Sequence, residues 1–440
     1  MFEMLEFIER KRDGFPHTTD DLAAFVDAVR DDLVPDYQIA AWLMAAFLRG
    51  LNREELSAFT RALAHSGDVV KFADGSERGI RVTVDKHSTG GVGDKTTLVV
   101  APLVASCGVE VAKLSGRGLG FTGGTVDKLE SIPGMDMHLS SDRFARQVRE
   151  IGMAISGHSL ALAPAEGRFY ALRDVTGTVP SLPLIASSIV SKKIAGGGDA
   201  YVFDVKCGRG AFMQTLPEAE SLSNALVDLS GALGRRSVCL ISDMEQPLGE
   251  WVGNSLEVFE AIEVLSARGP ADTRVLCIAL AAEMLLLGRA AEDETSAFDM
   301  ATKALDDGRA LGKFAEVVAA QGGDASVCEA PRRVLAIAAH EKTFLSPRDG
   351  FVEKVDARAV GCAVRALGGG RFCKSDVIDP SVGIRIVKKI GAPVQRGESL
   401  AEIRYNDESR LHDAMRWMEE AFSVGGERVL PRSVLLGRIG

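Results

Sequence analysis

Two glycine-rich segments, each set directly after a short apolar run, constrain this chain more than anything else in it. The first, Val84–Thr97, reads VDKHSTGGVGDKTT; it follows a strand expected over Ile80–Val84 and precedes the apolar, helix-like run Leu98–Val104. The second, Ser115–Glu130, reads SGRGLGFTGGTVDKLE and follows a strand expected over Val109–Leu114. Loops of this kind expose consecutive backbone N–H groups and, with a helix N-terminus, form an anion site. Lys86, Ser88, Thr89, Thr96 and Thr97 add side-chain donors to the first loop. It is not a Walker A motif, because Lys95 follows Asp94 rather than glycine at the required spacing. Gly118–Gly123 fits G-x-G-x-x-G. However, a dinucleotide fold wants that loop in the first strand–helix–strand unit, and Asp127 and Glu130 come too early to hold a ribose. Two phosphate-type loops on successive strands suit one anion held from two sides.

The surrounding pattern places these loops in an α/β domain with a mainly parallel sheet. Short strands, among them Ala200–Val205 and Val238–Ser242, alternate with helices at Asp142–Ile151, Asn254–Ala267 and Thr273–Leu287. The domain is expected over 68–157 and again over 196–335. Residues 1–67 read as helical, with Leu22, Phe25, Val26 and Val29 and then Ile39, Trp42, Leu43, Ala46 and Phe47 at helical spacing. Asn52 and Glu55 resemble a capping box. Helical character returns over 158–195, so an all-helical domain comes in two pieces around the first half of the α/β domain. From 346 to 440, strands expected at Gly350–Val355, Ile384–Lys388 and Leu400–Tyr405 give a small C-terminal α+β portion, hammerhead-like around Val387–Ile403.

Composition excludes some partners. Fifty-one basic against 61 acidic residues, a formal charge of −10, argue against a dedicated nucleic-acid binder but leave room for a local cationic pocket. The apolar stretches Leu98–Cys107 and Cys277–Gly288 are too short for a membrane span. The acidic, amphipathic N-terminus lacks the pattern of a signal peptide. Seven scattered cysteines without a CxxC pair read as reduced thiols of a cytoplasmic protein. The seven histidines are far apart with no HExxH, so no transition-metal site is expected.

A second basic group, Arg168, Arg173, Lys192 and Lys193, lies in segments otherwise made of small and apolar residues. Tyr170–Thr176 reads as a short helix or turn, with Arg173 beside Asp174, and Ser187–Lys193 as a helix on which Ser188 and Lys192 share a face.

Taken together, these segments resemble the thymidine and pyrimidine-nucleoside phosphorylases, and look closest to the thymidine type. Ser115–Glu130 matches their signature nearly residue for residue, and Lys86–Asp94, Arg173–Thr176, Ser188–Lys192, Asp204–Lys206 and Gly210–Met213 look like further family motifs. The resemblance implies a homodimer joined in its helical region, with the active site in the cleft between helical and α/β domains. It implies phosphorolysis: inorganic phosphate, the co-substrate, attacks C1′ of a pyrimidine (2′-deoxy)nucleoside with inversion, giving the base and (2-deoxy)-α-D-ribose 1-phosphate. By resemblance Lys86, Ser88, Thr97, Lys113, Ser115 and Thr125 bind phosphate, while His87, Arg173, Ser188 and Lys192 hold the pyrimidine. His87, Arg173 and Lys192 are then the catalytic set, His87 donating to O2 as a general acid with a pKa near neutral, and cleft closure aligns the reactants. Replacing Arg173 or Lys192 by alanine is expected to leave the fold intact and reduce turnover sharply. Lys113 is typical of the members that also accept uridine; the strict thymidine enzymes typically carry Met there. No cofactor is required. Some members hold a structural monovalent cation; the matching positions are Gly93, Lys95, Leu248, Trp251 and Glu260, and Lys95, standing where others have a neutral residue, reduces the need for that ion.

Two other readings compete. A phosphoribosyltransferase of the related fold would use a pyrophosphorylated sugar and magnesium, against which the base-side residues argue. A carrier module of the biotinyl type would need a Met-Lys-Met-like hairpin tip, and Val387–Ile403 shows none.

Overall fold

The computed structural model describes residues 3–72, 82–118, 120–158, 161–373 and 375–440. Four helices open it: α1 (Met4–Arg12), α2 (Thr19–Arg30), α3 (Asp36–Arg49) and α4 (Arg53–Ala64). Both α2 and α4 start on capping boxes, with the Thr18 and Asn52 side chains accepting from the N–H three residues on and Asp21 and Glu55 accepting in return. Each box satisfies two N–H groups that the helix itself cannot. The Glu55 carboxylate also accepts from Lys11 Nζ at 2.8 Å and the His17 N–H at 2.9 Å, tying α4 to α1 inside the bundle.

The chain then runs through β1 (Thr83–Ser88), α5 (Thr96–Ser106), β2 (Glu110–Ser115), α6 (Thr125–Leu129), α7 (Ser141–Ile151) and β3 (Met153–Gly157). It returns to the helical layer with α8 (Pro164–Thr176) and α9 (Leu182–Ala195). Phe169 of α8 and Leu184 of α9 share a core with Phe7, Phe25, Trp42 and Phe59, so the bundle is built from two stretches of chain. The α/β part resumes with β4 (Ala200–Cys207), α10 (Leu216–Ala232), β5 (Arg236–Asp243), β6 (Trp251–Val252), α11 (Asn254–Leu265), α12 (Ala271–Leu287), α13 (Glu294–Asp306) and α14 (Arg309–Ala320).

Five strands pair in parallel in the order β5-β4-β1-β2-β3, and a last strand, Leu435–Ile439, adds antiparallel to β5. In register, Lys86 lies opposite Val202, Ser88 opposite Asp204 and Lys113 opposite Ile155. Strand order reverses between β1 and β4, and ligands of such sheets bind outside the carboxyl ends of the strands at that switch.

Two expectations change. The strand expected over Ile80–Val84 is observed over Thr83–Ser88, and Ile80 lies outside the described residues. An apolar run marks only its first half, because Asp85, Lys86 and their neighbours stay inside by pairing with buried charges of adjacent elements. Leu160, part of the second helical reading, is also outside the described residues. The C-terminal portion expected over 346–440 begins earlier, with a strand at His340–Leu345, and gives its final strand to the main sheet. Its other strands form two small antiparallel sheets, one of which takes in β6. Lys388 pairs with Glu398 and Lys389 with Asp272.

Trp42 is fully buried, 4.8 Å from the Phe25 ring and 5.2 Å from Phe59, and its Nε1 donates to His17 Nε2 at 3.2 Å. Trp42→Ala is expected to destabilise the bundle by about 3–5 kcal/mol, the cost of emptying a large aromatic site. A lowered urea midpoint by circular dichroism checks this, and an unchanged midpoint contradicts it.

Candidate active site

The loop after β1 and the loop after β2 both leave the carboxyl ends of strands at the switch point. Alternation along β1 sends neighbouring side chains to opposite faces. Lys86 and Ser88 meet the first loop, where Lys86 Nζ donates to Thr96 Oγ1 at 2.5 Å and Ser88 Oγ donates to Asp94. Asp85 and His87 face the other way: Asp85 meets Lys193 of α9, and His87 stands edge-on to Phe203 of β4 at 6.4 Å. Gly93 lets the loop pass, because its φ is +72° and a Cβ there would lie 2.5 Å from the Leu248 carbonyl.

Beneath the first loop lies a buried charge network. The Asp204 carboxylate sits 3.2 Å from Lys86 Nζ and 2.7 Å from Lys206 Nζ, and accepts from Ser242 Oγ at 2.6 Å. Burial alone would push the Asp94 carboxyl up, but the ammonium groups of Lys206, Lys86 and Lys128 and the Ser88 hydroxyl outweigh it and hold it well below the usual carboxylate range. Lys128 Nζ donates to the Asp94 carbonyl at 2.7 Å and pairs with Glu257 at 2.8 Å. Thr97, the second residue of α5, is buried at the N-terminus of that helix.

The second loop is fixed by Asp127. Its carboxylate accepts from the Gly118 N–H at 2.7 Å, from Arg117 at 2.9 Å and from Arg371 at 2.9 Å. Thus Asp127, which comes too early for a ribose, shapes the loop instead. A Cβ at Gly124 would lie 2.1 Å from the Gly118 nitrogen, so the two limbs touch backbone to backbone. Thr125 opens α6 at the end of this loop. Ser115, at the end of β2, is buried, and its Oγ has no hydrogen-bond partner among the described residues. A buried hydroxyl left in that state costs free energy until a ligand pairs it.

Between the two loops the positive charge exceeds the negative. Asp85 serves two buried lysines, Lys193 at 2.7 Å and Lys113 at 3.8 Å, and both ammonium groups also donate to the Leu114 carbonyl. Burial and the charge of Lys193 hold Lys113 well below the ordinary lysine value, against the pull of Asp85. His87 feels the same excess: burial and then the charges of Lys193, Lys113, Lys192 and Lys86 hold its imidazole well below its ordinary pKa. The expectation of a near-neutral pKa for His87 is therefore corrected. In this state the ring is neutral and offers one N–H.

On the helical side Ser188 and Lys192 do share a face of α9, with Lys192 Nζ donating to Ser188 Oγ at 3.1 Å. Both converge on Glu166 of α8, which accepts from Ser188 Oγ and, at 2.9 Å, from Lys192 Nζ; Lys192 also lies 5.1 Å from the centre of the Tyr170 ring. Glu166 escapes a reading built on cations. The one clue to it is a glutamate amid apolar residues, which stays buried only when paired. Arg173 is buried and donates to the carbonyls of Val179 at 2.7 Å, Leu184 at 3.0 Å and Thr178 at 3.4 Å, joining α8 to α9. It makes three such bonds out of five N–H donors. Arg168 lies elsewhere, on Asp32 and Asp36 of the bundle.

The five positions matched to a monovalent cation also come together, on a different centre. The Leu248 and Trp251 carbonyls, at 3.0 and 2.9 Å, and the Glu260 carboxylate all accept from Lys95 Nζ, and the Gly93 carbonyl accepts from the Lys95 N–H at 3.0 Å.

A helical bundle joined to a parallel α/β domain, with two glycine-rich loops at the switch point, defines a glycosyltransferase fold. Residues 5–67 match the glycosyl transferase family, helical bundle domain, and residues 81–311 the glycosyl transferase family, a/b domain. Residues 351–425 match the pyrimidine nucleoside phosphorylase C-terminal domain. The pyrimidine-nucleoside phosphorylase of Geobacillus stearothermophilus is 46% identical over 436 residues, 99% of each chain. That of Staphylococcus haemolyticus is 46% identical over 428 residues, 97% of this chain and 98% of its own. The anthranilate phosphoribosyltransferase of Thermus thermophilus shares the fold, with a TM-score of 0.58 at 19% identity over 71% of this chain and 98% of its own. The chain belongs to the pyrimidine-nucleoside phosphorylase family, a family of pentosyltransferase enzymes.

Two outcomes follow from the geometry. The expectation that Arg173→Ala leaves the fold intact is revised, because the three carbonyls it serves lose a charged donor at once. The substitution is expected to cost on the order of 3 kcal/mol in stability, and an unchanged melting temperature contradicts this. His87 binds no proton in the native state near neutrality, whereas an unfolded histidine does below about pH 6.5. His87 therefore withdraws stability as pH falls through that value, and nitrogen NMR of the native protein should find its ring neutral there; a charged ring contradicts it.

Proposed function

We propose that this enzyme catalyses the phosphorolysis of pyrimidine nucleosides. One phosphate oxygen forms a bond to C1′, the C1′–N1 bond breaks with inversion, and its electron pair leaves with the base. The observation that carries the reading is the place of β1 between the two sides: Lys86 and Ser88 meet the first loop, while Asp85, on the other face with His87, pairs with Lys193 of α9 at 2.7 Å and with Lys113 of β2 at 3.8 Å.

In this scheme phosphate enters against Lys86, Ser88, Thr97, Lys113, Ser115 and Thr125. It supplies the negative charge that Lys113 and Lys193 lack and the partner that Ser115 Oγ lacks. Fixed donors aimed at the developing charge stabilise the transition state without reorganising. On the base side, Lys192 leaves Glu166 for a ring carbonyl as charge builds on the leaving pyrimidine. Arg173 has two N–H groups to add, and Ser188 orients the ring. His87 donates its N–H to O2 as a hydrogen bond from a neutral ring. The base is protonated by solvent after it leaves.

No cofactor enters this scheme beyond phosphate as co-substrate. Magnesium-dependent phosphoribosyl transfer is not favoured, because the C-terminal match is to the phosphorylases. We further read the protein as a cytoplasmic homodimer. The exposed Leu5, Leu33, Tyr37 and Leu48 of the bundle support a contact there. Among the described residues no helix is long and apolar enough to cross a membrane.

The test is release of free base from thymidine and from uridine, each with and without phosphate. Phosphate-dependent release from both substrates is expected, consistent with Lys113. Release from thymidine alone would narrow the specificity, and none from either would overturn the reading. Lys192→Ala is expected to lower kcat by about 10²–10³-fold, the range for losing one donor to a developing anion.

A further inference from the structure

The oxygens that the family resemblance assigns to a monovalent cation do not fit a free ion in this chain. A lysine ammonium has three N–H donors. Lys95 Nζ has three acceptors: the Leu248 carbonyl at 3.0 Å, the Trp251 carbonyl at 2.9 Å and the Glu260 carboxylate. Lys95 is fully buried, and Glu260 nearly so. The rest of Glu260 is held by the Glu250 N–H at 2.7 Å and the Trp251 N–H at 3.0 Å. Burial would discharge the lysine, but the charges of Glu260 and Glu257 overcome it and keep it ionised. The main chain closes over the ammonium at Gly249, where φ is +69° and a Cβ would lie 2.8 Å from Nζ and 2.6 Å from Glu260 Oε2. No space for a second cation remains beside those oxygens.

We infer that Lys95 is a tethered monovalent cation, a positioning residue whose ammonium holds the phosphate loop in shape and makes this enzyme indifferent to potassium. The coupling to the site is short. Asp94, one residue before, accepts from Ser88, and Thr96, one residue after, accepts from Lys86 Nζ. The loop is fastened to the segment before β6 by the Leu248 N–H on the Val92 carbonyl at 3.1 Å and by Lys95 itself. Loss of the ammonium would take a donor from the Leu248 and Trp251 carbonyls, leave the Glu260 carboxylate with its two N–H donors but no countercharge, and release Asp94 and Thr96 from register. A serine in its place empties an oxygen-lined cavity for a free monovalent ion. A methionine removes the charge but keeps the cavity filled.

The inference rests on the phosphorolysis reading for its kinetic arm only; melting temperature carries the other arm. Wild-type protein is expected to show the same melting temperature and the same KM for phosphate in potassium, sodium and tetramethylammonium chloride of equal ionic strength. Potassium-specific stabilisation or activation of the wild type overturns the inference. In tetramethylammonium, K95S should melt lower and show a KM for phosphate raised by about 10–100-fold, the usual effect of removing an outer-shell support. Its nucleoside KM should change little. Potassium or ammonium ion should restore both quantities in K95S but neither in K95M. A K95S protein indifferent to those ions overturns the inference, as does a K95M protein with unchanged phosphate KM, and K95M decides the matter if K95S folds in no salt. Ion-dependent melting of K95S without any phosphorolysis by the wild type would overturn the activity reading and leave this inference standing.

Discussion

The site depends on lysines taken out of water. Lys86, Lys95, Lys113, Lys128, Lys193 and Lys206 are all buried, and each lies against a carboxylate: Asp204, Glu260, Asp85, Glu257, Asp85 and Asp204 respectively. Burying an ion costs several kcal/mol unless a partner and further hydrogen bonds compensate, and removing one partner strands the other. Two carboxylates are shared between lysines, so local positive charge exceeds negative. The arrangement is a protein-built positive field, and its cost is met by the sheet and helices that hold it closed.

This explains the division of labour between the two halves of the molecule. The loops after β1 and β2 are held from beneath, by Lys95, Lys128 and Asp127, so their donors are aligned before any ligand arrives. The residues proposed for the base ride on α8, which packs in the bundle, and on α9, which packs on the bundle with Leu184 and on β4 and β5 with Ile189, Val190 and Ile194. Their donors are parked on internal acceptors, Lys192 on Glu166 and Arg173 on backbone carbonyls. One side is preorganised, and in the proposed scheme the other exchanges partners to act.

Much of this is legible in the sequence where local chemistry writes a local signal. The capping box at Asn52 and Glu55, the shared face of Ser188 and Lys192, and the α/β order of elements all depend on spacings of three or four residues or on strand–helix alternation. What spacing does not carry is long-range pairing. The polar half of β1 is a strand because Asp204 and Lys193, more than a hundred positions away, neutralise it. Glu166 and Asp127 do their work through partners set by the fold. The state of His87 depends on four lysines from three elements, which no window of sequence brings together. Arg173 stands out by its neighbourhood, but its carbonyl contacts belong to a turn whose path only the fold defines.

The last strand, Leu435–Ile439, returns from the C-terminal portion to the open edge of β5. That portion is thus inserted in the main sheet's connectivity, entering after α14 and leaving into the sheet, and two covalent links limit how it can swing. The edge of β5 must also wait for a segment made far later in synthesis. Until then an unpaired strand edge, the kind of surface that invites wrong partners, stays open. Completion of the main sheet is in this way coupled to a strand far downstream of β5, which covers the edge that would otherwise stay open.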